Sequence, residues 1–405
     1  MTDERRGPVR PAERRLAPDL TRGAMLLFIA LANAPGLAPG GPATAAAARV
    51  ERVANVLLTL FVQAHTYPVF AIMIGYGLEQ IARRQRAAGA TDAEVRAVLL
   101  RRSGWLIAFG AVHAALLYFA DFLGAYGIIG VAATLWLVGR DRAQRVVLWL
   151  WAVSIVELIV LAALVIVGLA RGGALAALPG GVPASTLAPD YVASIGARLR
   201  EWPMHTLTVV PEIFIVSLGM WTARRGLLDD LAAHRPLLRR IAVVALGVAV
   251  AGAVPLALVH AGAVHADART VTYISLLHKV SGMFGGPGYV ALCGLAALRV
   301  EQGASALARR VATLLAALGE RSLSGYLFQS LAWVTLLPPY ALSLASRFGS
   351  PLLTALAVAA LTWATSVLGA AWLRRAGRSG PAEALLRRLV YGPARRPRLA
   401  AAPVR

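Results

Sequence analysis

His113 and Asp121 are the groups in this chain best suited to handling a proton. A neutral imidazole has an unperturbed pKa near 6.5 and can serve as a general base, and a carboxylate beside it could orient the ring. On one continuous helix the two lie about 12 Å apart, so direct contact requires a break near residue 120. A histidine in an apolar stretch is more often buried and hydrogen-bonded than catalytic, and the sequence alone leaves both readings open. If His113 is the base, His113→Ala is expected to remove the chemistry and spare membrane insertion.

Other polar groups sit in equally apolar surroundings. Asp19 and Arg22 are i,i+3 neighbours, and Asn33 follows Arg22 by eleven residues. At 100° per residue, Arg22 and Asn33 share a helix face. Arg22 has two readings: a cation snorkelling to headgroups with Asp19 as partner, or a contact for phosphate or carboxylate. Asn33 leans toward joining helices. His65, Tyr67 and Pro68, followed by Gly75-Tyr76-Gly77, suggest an interior cavity, with Pro68 placed to kink the helix and the glycines to allow close helix contact. Glu157 and Lys279 could form a buried pair, or with Glu212 an ion path. His205, His260 and His265 fall near chain segments expected in solvent.

Several chemistries lack their motif. There is no His-Glu-x-x-His, no Gly-x-x-x-x-Gly-Lys and no Gly-x-Ser-x-Gly. Cys293 is the only cysteine, which excludes an intrachain disulfide and a multi-cysteine metal site. No metal ligand set is assigned, and no cofactor is expected to be bound permanently.

The elements that must position these groups are apolar helices. The chain is 58% hydrophobic and 15% charged, with a mean hydropathy of +0.65. Ten apolar stretches are read at 20–36, 55–81, 97–119, 122–139, 145–170, 203–224, 238–261, 275–298, 322–344 and 351–373, several of them near the length that crosses a bilayer. Backbone groups in lipid must bond internally, so the fold class is an all-α polytopic transmembrane helical bundle of about ten membrane-spanning helices. Residues 306–318 could be an interfacial helix or a further crossing. The chain divides into a tail at 1–18, one transmembrane domain at 19–392 and a basic tail at 393–405.

Arginine sets the orientation. With both termini cytoplasmic, inner segments hold 32 of the 41 Lys and Arg residues and outer loops hold 7. That bias predicts a multi-pass plasma-membrane protein with this topology. The formal charge of +21 then reads as a topology signal with attraction to anionic inner-leaflet lipid. No basic helix carries interleaved aromatics, so nucleic acid is not an expected partner. The bilayer itself is one.

Four blocks in order resemble bacterial membrane proteins of the domain-of-unknown-function 418 (DUF418) family, the YeiB type. They are Asp19-Leu20-Thr21-Arg22-Gly23 through Asn33; His65-Thr66-Tyr67-Pro68 through Gly75-Tyr76-Gly77; Phe109-Gly110-Ala111-Val112-His113 through Asp121 and Tyr126-Gly127; and Gly319-Glu320-Arg321 through Ser330, with Glu383 and Tyr391-Gly392. The C-terminal family block covers about 210–392. That family looks related to membrane acyltransferases, which are thought to take an acyl donor from the cytoplasm and modify a glycan on the other side. The resemblance implies an acyltransferase acting on an envelope glycan or small molecule, with acyl-CoA as a candidate donor substrate. His113 and Asp121 would be catalytic, and Arg22, Asn33, His65 and Tyr67 would bind substrate. The alternative is a transporter without covalent chemistry, coupled through Glu157, Glu212 and Lys279.

Overall fold

The computed structural model describes residues 14–39, 43–172 and 182–392. Every regular element among them is helical. In order they are α1 (Leu16–Asn33), α2 (Ala45–Phe61), α3 (Thr66–Ala87), α4 (Asp92–Leu116), α5 (Phe122–Trp136), α6 (Asp141–Arg171), α7 (Tyr191–Val209), α8 (Ile213–Arg224), α9 (Arg235–His260), α10 (Ala268–Gly282), α11 (Gly285–Glu301), α12 (Ala306–Gly319), α13 (Ser322–Leu336), α14 (Leu344–Arg347), α15 (Pro351–Arg375) and α16 (Pro381–Tyr391).

Among the described residues, seven helical segments are long and apolar enough to cross a membrane: Leu16–Leu37, Ala47–Ala87, Asp141–Arg171, Tyr191–Arg224, Arg235–His260, Ala268–Glu301 and Pro351–Arg375. All fall where the sequence reading placed a span. The other three expected spans are helices of a different kind. The first turns of α4 carry Asp92, Glu94 and Arg96, and α5 and α13 have 15 residues each. Fifteen residues reach only about 22 Å, short of a hydrocarbon core of about 30 Å. Segment 306–318 is α12, 14 residues packed along α1 and α15.

Three of the long segments are broken within their apolar stretch. The 191–224 segment breaks into a short 3-10 turn at Val210–Glu212, where Pro211 lacks an amide hydrogen. The α2–α3 break at residues 62–65 takes Ala64 into positive φ (60°). Pro68 is therefore not the kink. It lies in the first turn of α3, where the missing donor has no helical acceptor in any case. The α10–α11 break at Met283–Phe284 lies directly against the first: a Cβ on Gly282 would overlap Ala64, and one on Gly285 would overlap His65.

Paired glycines let two pairs of helices touch backbone to backbone. On the α1–α12 crossing, a Cβ on Gly23 would strike the Leu315 carbonyl and one on Gly319 the Asp19 carbonyl. Gly75 and Gly219 meet the Val216 and Ile72 carbonyls in the same reciprocal way where α3 crosses α8. Lipid offers no hydrophobic drive between helices, so small residues that allow such contact hold membrane bundles together. The close contact expected around Gly75 is thus real.

Two further features shape the interior. Helix α4 stops at Leu116, and Asp121 caps α5 by accepting the Gly124 amide at 2.7 Å. The break near residue 120 that His113–Asp121 contact requires is therefore present. Amphipathic α16 is tied across the bundle. Glu383 accepts the Leu323 and Ser324 amides at 2.8 and 3.1 Å, capping α13 from outside it. Arg101 of α4 donates to the Val390 carbonyl at 2.8 Å, and Leu386 and Val390 pack on Leu106.

Candidate functional site

Helices α1, α3, α4, α5, α13 and α16 line a half-open cavity of about 840 Å³. Its two ends differ in chemistry. One end is cationic, with Arg14, Arg15, Arg22, Arg83, Arg84, Arg102 and Arg387 in the wall against four carboxylates. Those carboxylates are already engaged. Asp19 receives Arg14 at 3.2 Å and Arg22 at 3.3 Å. Asp229 receives the Tyr76 hydroxyl at 3.0 Å and Arg83 at 3.4 Å. Glu320 pairs with Arg321 at 2.9 Å, and Glu383 is held at the start of α13. The wall thus keeps a guanidinium excess facing the cavity. Tyr391 on α16 completes this end. Burial pushes its phenol up, against the pull of Arg102, Arg84 and Arg387, so it stays protonated near neutral pH.

The other end is aromatic and amide-lined. Asn33, Gln63, Tyr67, Phe70, Phe122 and Tyr126 form it. Tyr67 stacks on Phe122 with centroids 6.3 Å apart, and the Tyr126 hydroxyl donates to the Tyr67 carbonyl at 2.9 Å. The stripe expected on α1 lines this cavity along its length, from Arg22 to Asn33. Arg22 also donates to the Met73 carbonyl at 3.3 Å, which fixes its guanidinium against α3.

His113 and Asp121 do meet. Nδ1 of His113 lies 2.9 Å from Oδ1 of Asp121, and both side chains are fully buried. The pair is not itself in the cavity wall. Tyr326 of α13 is, and its ring lies against the imidazole with centroids 4.7 Å apart. The Tyr326 hydroxyl lies beside the Asp121 carboxylate, and Nε2 of His113 is buried without a hydrogen-bond partner. A buried donor or acceptor left unpaired is costly, so Nε2 of His113 is a group with bonding capacity to spare behind the cavity wall.

His65 goes elsewhere. Its Nδ1 lies 2.5 Å from the Gln63 carbonyl, and its ring faces His278 and Tyr289 at the crossing of the two broken segments. Arg22, Asn33 and Tyr67 therefore share the cavity, while His65 lies outside its wall, between Ala64 and Thr66, which line it.

Some expectations need correction. Glu157 and Lys279 are both exposed and make no ion pair with each other, so there is no buried pair. Glu212 is buried in the 3-10 turn but does not line the cavity. His205 packs against Phe119 and Phe122, and His260 Nδ1 lies 2.9 Å from the Thr59 hydroxyl; only His265 is fully exposed. Arg198, counted with the outer loops, is wholly buried and donates to the Leu116 carbonyl at 2.9 Å, closing the C-terminus of α4.

The apolar helices are consistent with a multi-pass membrane protein. Residues 222–393 match the family described as protein of unknown function (DUF418). The match covers α9 to α16, and with them Tyr326, Glu383, Arg387 and Tyr391. No curated protein and no solved structure matches the chain.

Proposed function

We propose that this is a membrane acyltransferase whose cavity takes a phosphate-bearing acyl donor of the acyl-CoA type. The observation that carries the reading is the cavity's division into a guanidinium end and an aromatic end that reaches Tyr326 and, behind it, the His113–Asp121 pair. Arginine suits phosphate because its planar fork donates in pairs. Arg22, Arg102 and Arg387 would hold the donor phosphates, leaving the thioester toward Tyr67 and Tyr326. Asn33 would bind the acceptor or hold its helix in place.

The chemistry balances without a further reactant. An acceptor hydroxyl or amine attacks the thioester carbonyl, a C–O or C–N bond forms, and the C–S bond breaks. The acceptor's proton passes to His113 and then to the departing thiolate. Asp121 fixes the imidazole orientation and stabilises the imidazolium. Because His113 is fully buried, the proton reaches it through the Tyr326 position. In the orientation set by arginine, the guanidinium end and both termini of a multi-pass plasma-membrane protein face the cytoplasm, where such a donor is made. His65 would act on the site indirectly, by holding the α2–α3 break beside Gln63. The acceptor would be an envelope glycan or a small molecule.

Arg102→Gln in the full chain tests the donor end. Losing one charge-assisted contact should weaken acyl-CoA binding about tenfold. Unchanged affinity for acyl-CoA would remove the basis for the donor assignment.

Transport is a second reading, supported by the three broken helices, two of which meet at His65 and His278. Discontinuous helices mark substrate sites in secondary transporters. Against it, neither Glu212 nor Lys279 lines the cavity.

A further inference from the structure

Helix α6 carries an acidic residue where a lipid-facing helix can least tolerate one. It has 31 residues, and Glu157 stands near their middle, far from Arg145 at one end and Arg171 at the other. It is the most apolar of the candidate spans, with a mean hydropathy of 2.8 and only 17% of that window buried. Glu157 is on the exposed part of it. Lys279, the only lysine in the chain, is exposed on the neighbouring α10, on the outward face that also holds Thr272 and Leu276.

The two charges lie at nearly the same depth. Helices α6 and α10 pack antiparallel, with Gly168 against Thr270. From that contact Glu157 is eleven residues down α6 and Lys279 nine residues down α10. At 1.5 Å per residue these are about 16 Å and about 14 Å. Yet among the described residues neither side chain makes a hydrogen bond or ion pair. Ionisable residues within a membrane normally face a partner or a wet interior. Glu157 and Lys279 face neither in one copy of the chain.

We propose that the α6–α10 face is where two copies of this chain pair in the membrane, Glu157 of each copy meeting Lys279 of the other. The face is self-complementary in charge. A two-fold axis along the bilayer normal keeps each residue at its own depth and brings acid onto base twice in one interface, as an isologous contact requires. The face around the acid is apolar and uncovered: Val153 and Val160, one turn before and after Glu157, are 60% and 50% exposed. This pairing is independent of what the cavity binds.

The single lysine makes the test specific. Membranes carrying the full chain are treated with dicyclohexylcarbodiimide, which joins a carboxylate directly to an amine in contact with it. A covalent dimer linked Glu157 to Lys279 should form and should be absent from Lys279→Gln and Glu157→Gln. Single-molecule photobleaching of the labelled chain in liposomes should give two-step traces. Glu157→Lys or Lys279→Glu alone places like charges together and should weaken the dimer about tenfold or more. The double exchange, Glu157→Lys with Lys279→Glu, should restore it, which also shows that the single variants had not simply misfolded. One-step bleaching of the wild type would overturn the proposal. So would a Glu157–Lys279 link found only within one chain, or a double exchange as weak as the singles.

Discussion

Replacing His113 by alanine strands the Asp121 carboxylate inside the bundle. Asp121 has no exposed surface and His113 is 1% exposed, so water cannot take the place of the lost partner. Removing one member of a buried pair costs about 3–5 kcal/mol. Asp121 keeps the Gly124 amide on its other oxygen, which places the cost near the lower value, about 3 kcal/mol. The double variant His113→Ala with Asp121→Ala loses the pair, the ring volume and the cap on α5, but leaves no charge behind. Its cost should therefore fall at least about 2 kcal/mol short of the sum of the singles, well beyond the scatter of about 0.5 kcal/mol for independent sites. His113→Gln, which can still donate to Asp121, should cost less than about 1.5 kcal/mol. Reversible unfolding in mixed lipid–detergent micelles measures all four. Additive single costs would refute the claim that these two residues act as one unit. This burial changes what the sequence alone suggests for alanine: loss of activity in His113→Ala would mix chemistry with stability, and the glutamine variant separates them.

Gly75→Ala and Gly219→Ala each push a methyl into a facing carbonyl and should cost about 1–3 kcal/mol in the same assay. Gly104→Ala, on a helix face with open space around it, should cost nothing. Single cysteines at Arg96 and Arg200, both exposed, in a Cys293→Ser background should label from opposite sides of the membrane; labelling from one side would overturn the topology. Asp267 caps α10 by accepting the Thr270 amide at 2.8 Å, and that bond lowers its carboxyl below the ordinary 3.8. Its stabilisation is present above that ordinary value and lost as pH falls through the lower folded one. Melting of the wild type should therefore weaken at acid pH through this group, and Asp267→Asn should remove that part of the pH dependence.

The helices were legible because hydropathy and arginine placement are local signals. The Arg22–Asn33 stripe was legible because helical periodicity fixes which residues share a face. Contact between His113 and Asp121 was only conditional, since it depends on α4 stopping at Leu116, and that stop is closed by Arg198, distant in sequence. Tyr326 lay within a recognisable block and Arg102 did not, and neither carried a sign that they share a cavity. Arg387 and Tyr391 reach the wall only because Glu383 caps α13 and pins α16 there. The Glu157–Lys279 pair failed for a different reason: opposite charges in apolar stretches made it plausible, but both side chains turn outward.

The central claim is most directly tested by acyl transfer in liposomes holding the purified full-length chain. Labelled acetyl-CoA is supplied on the side of Arg96, with amine and sugar acceptors on the other, and product and free thiol are followed together. The account predicts an acylated acceptor formed in step with thiol release, nearly lost in His113→Gln while that variant stays folded. An acceptor that crosses the bilayer chemically unchanged, or a glutamine variant that transfers at the wild-type rate, would contradict it.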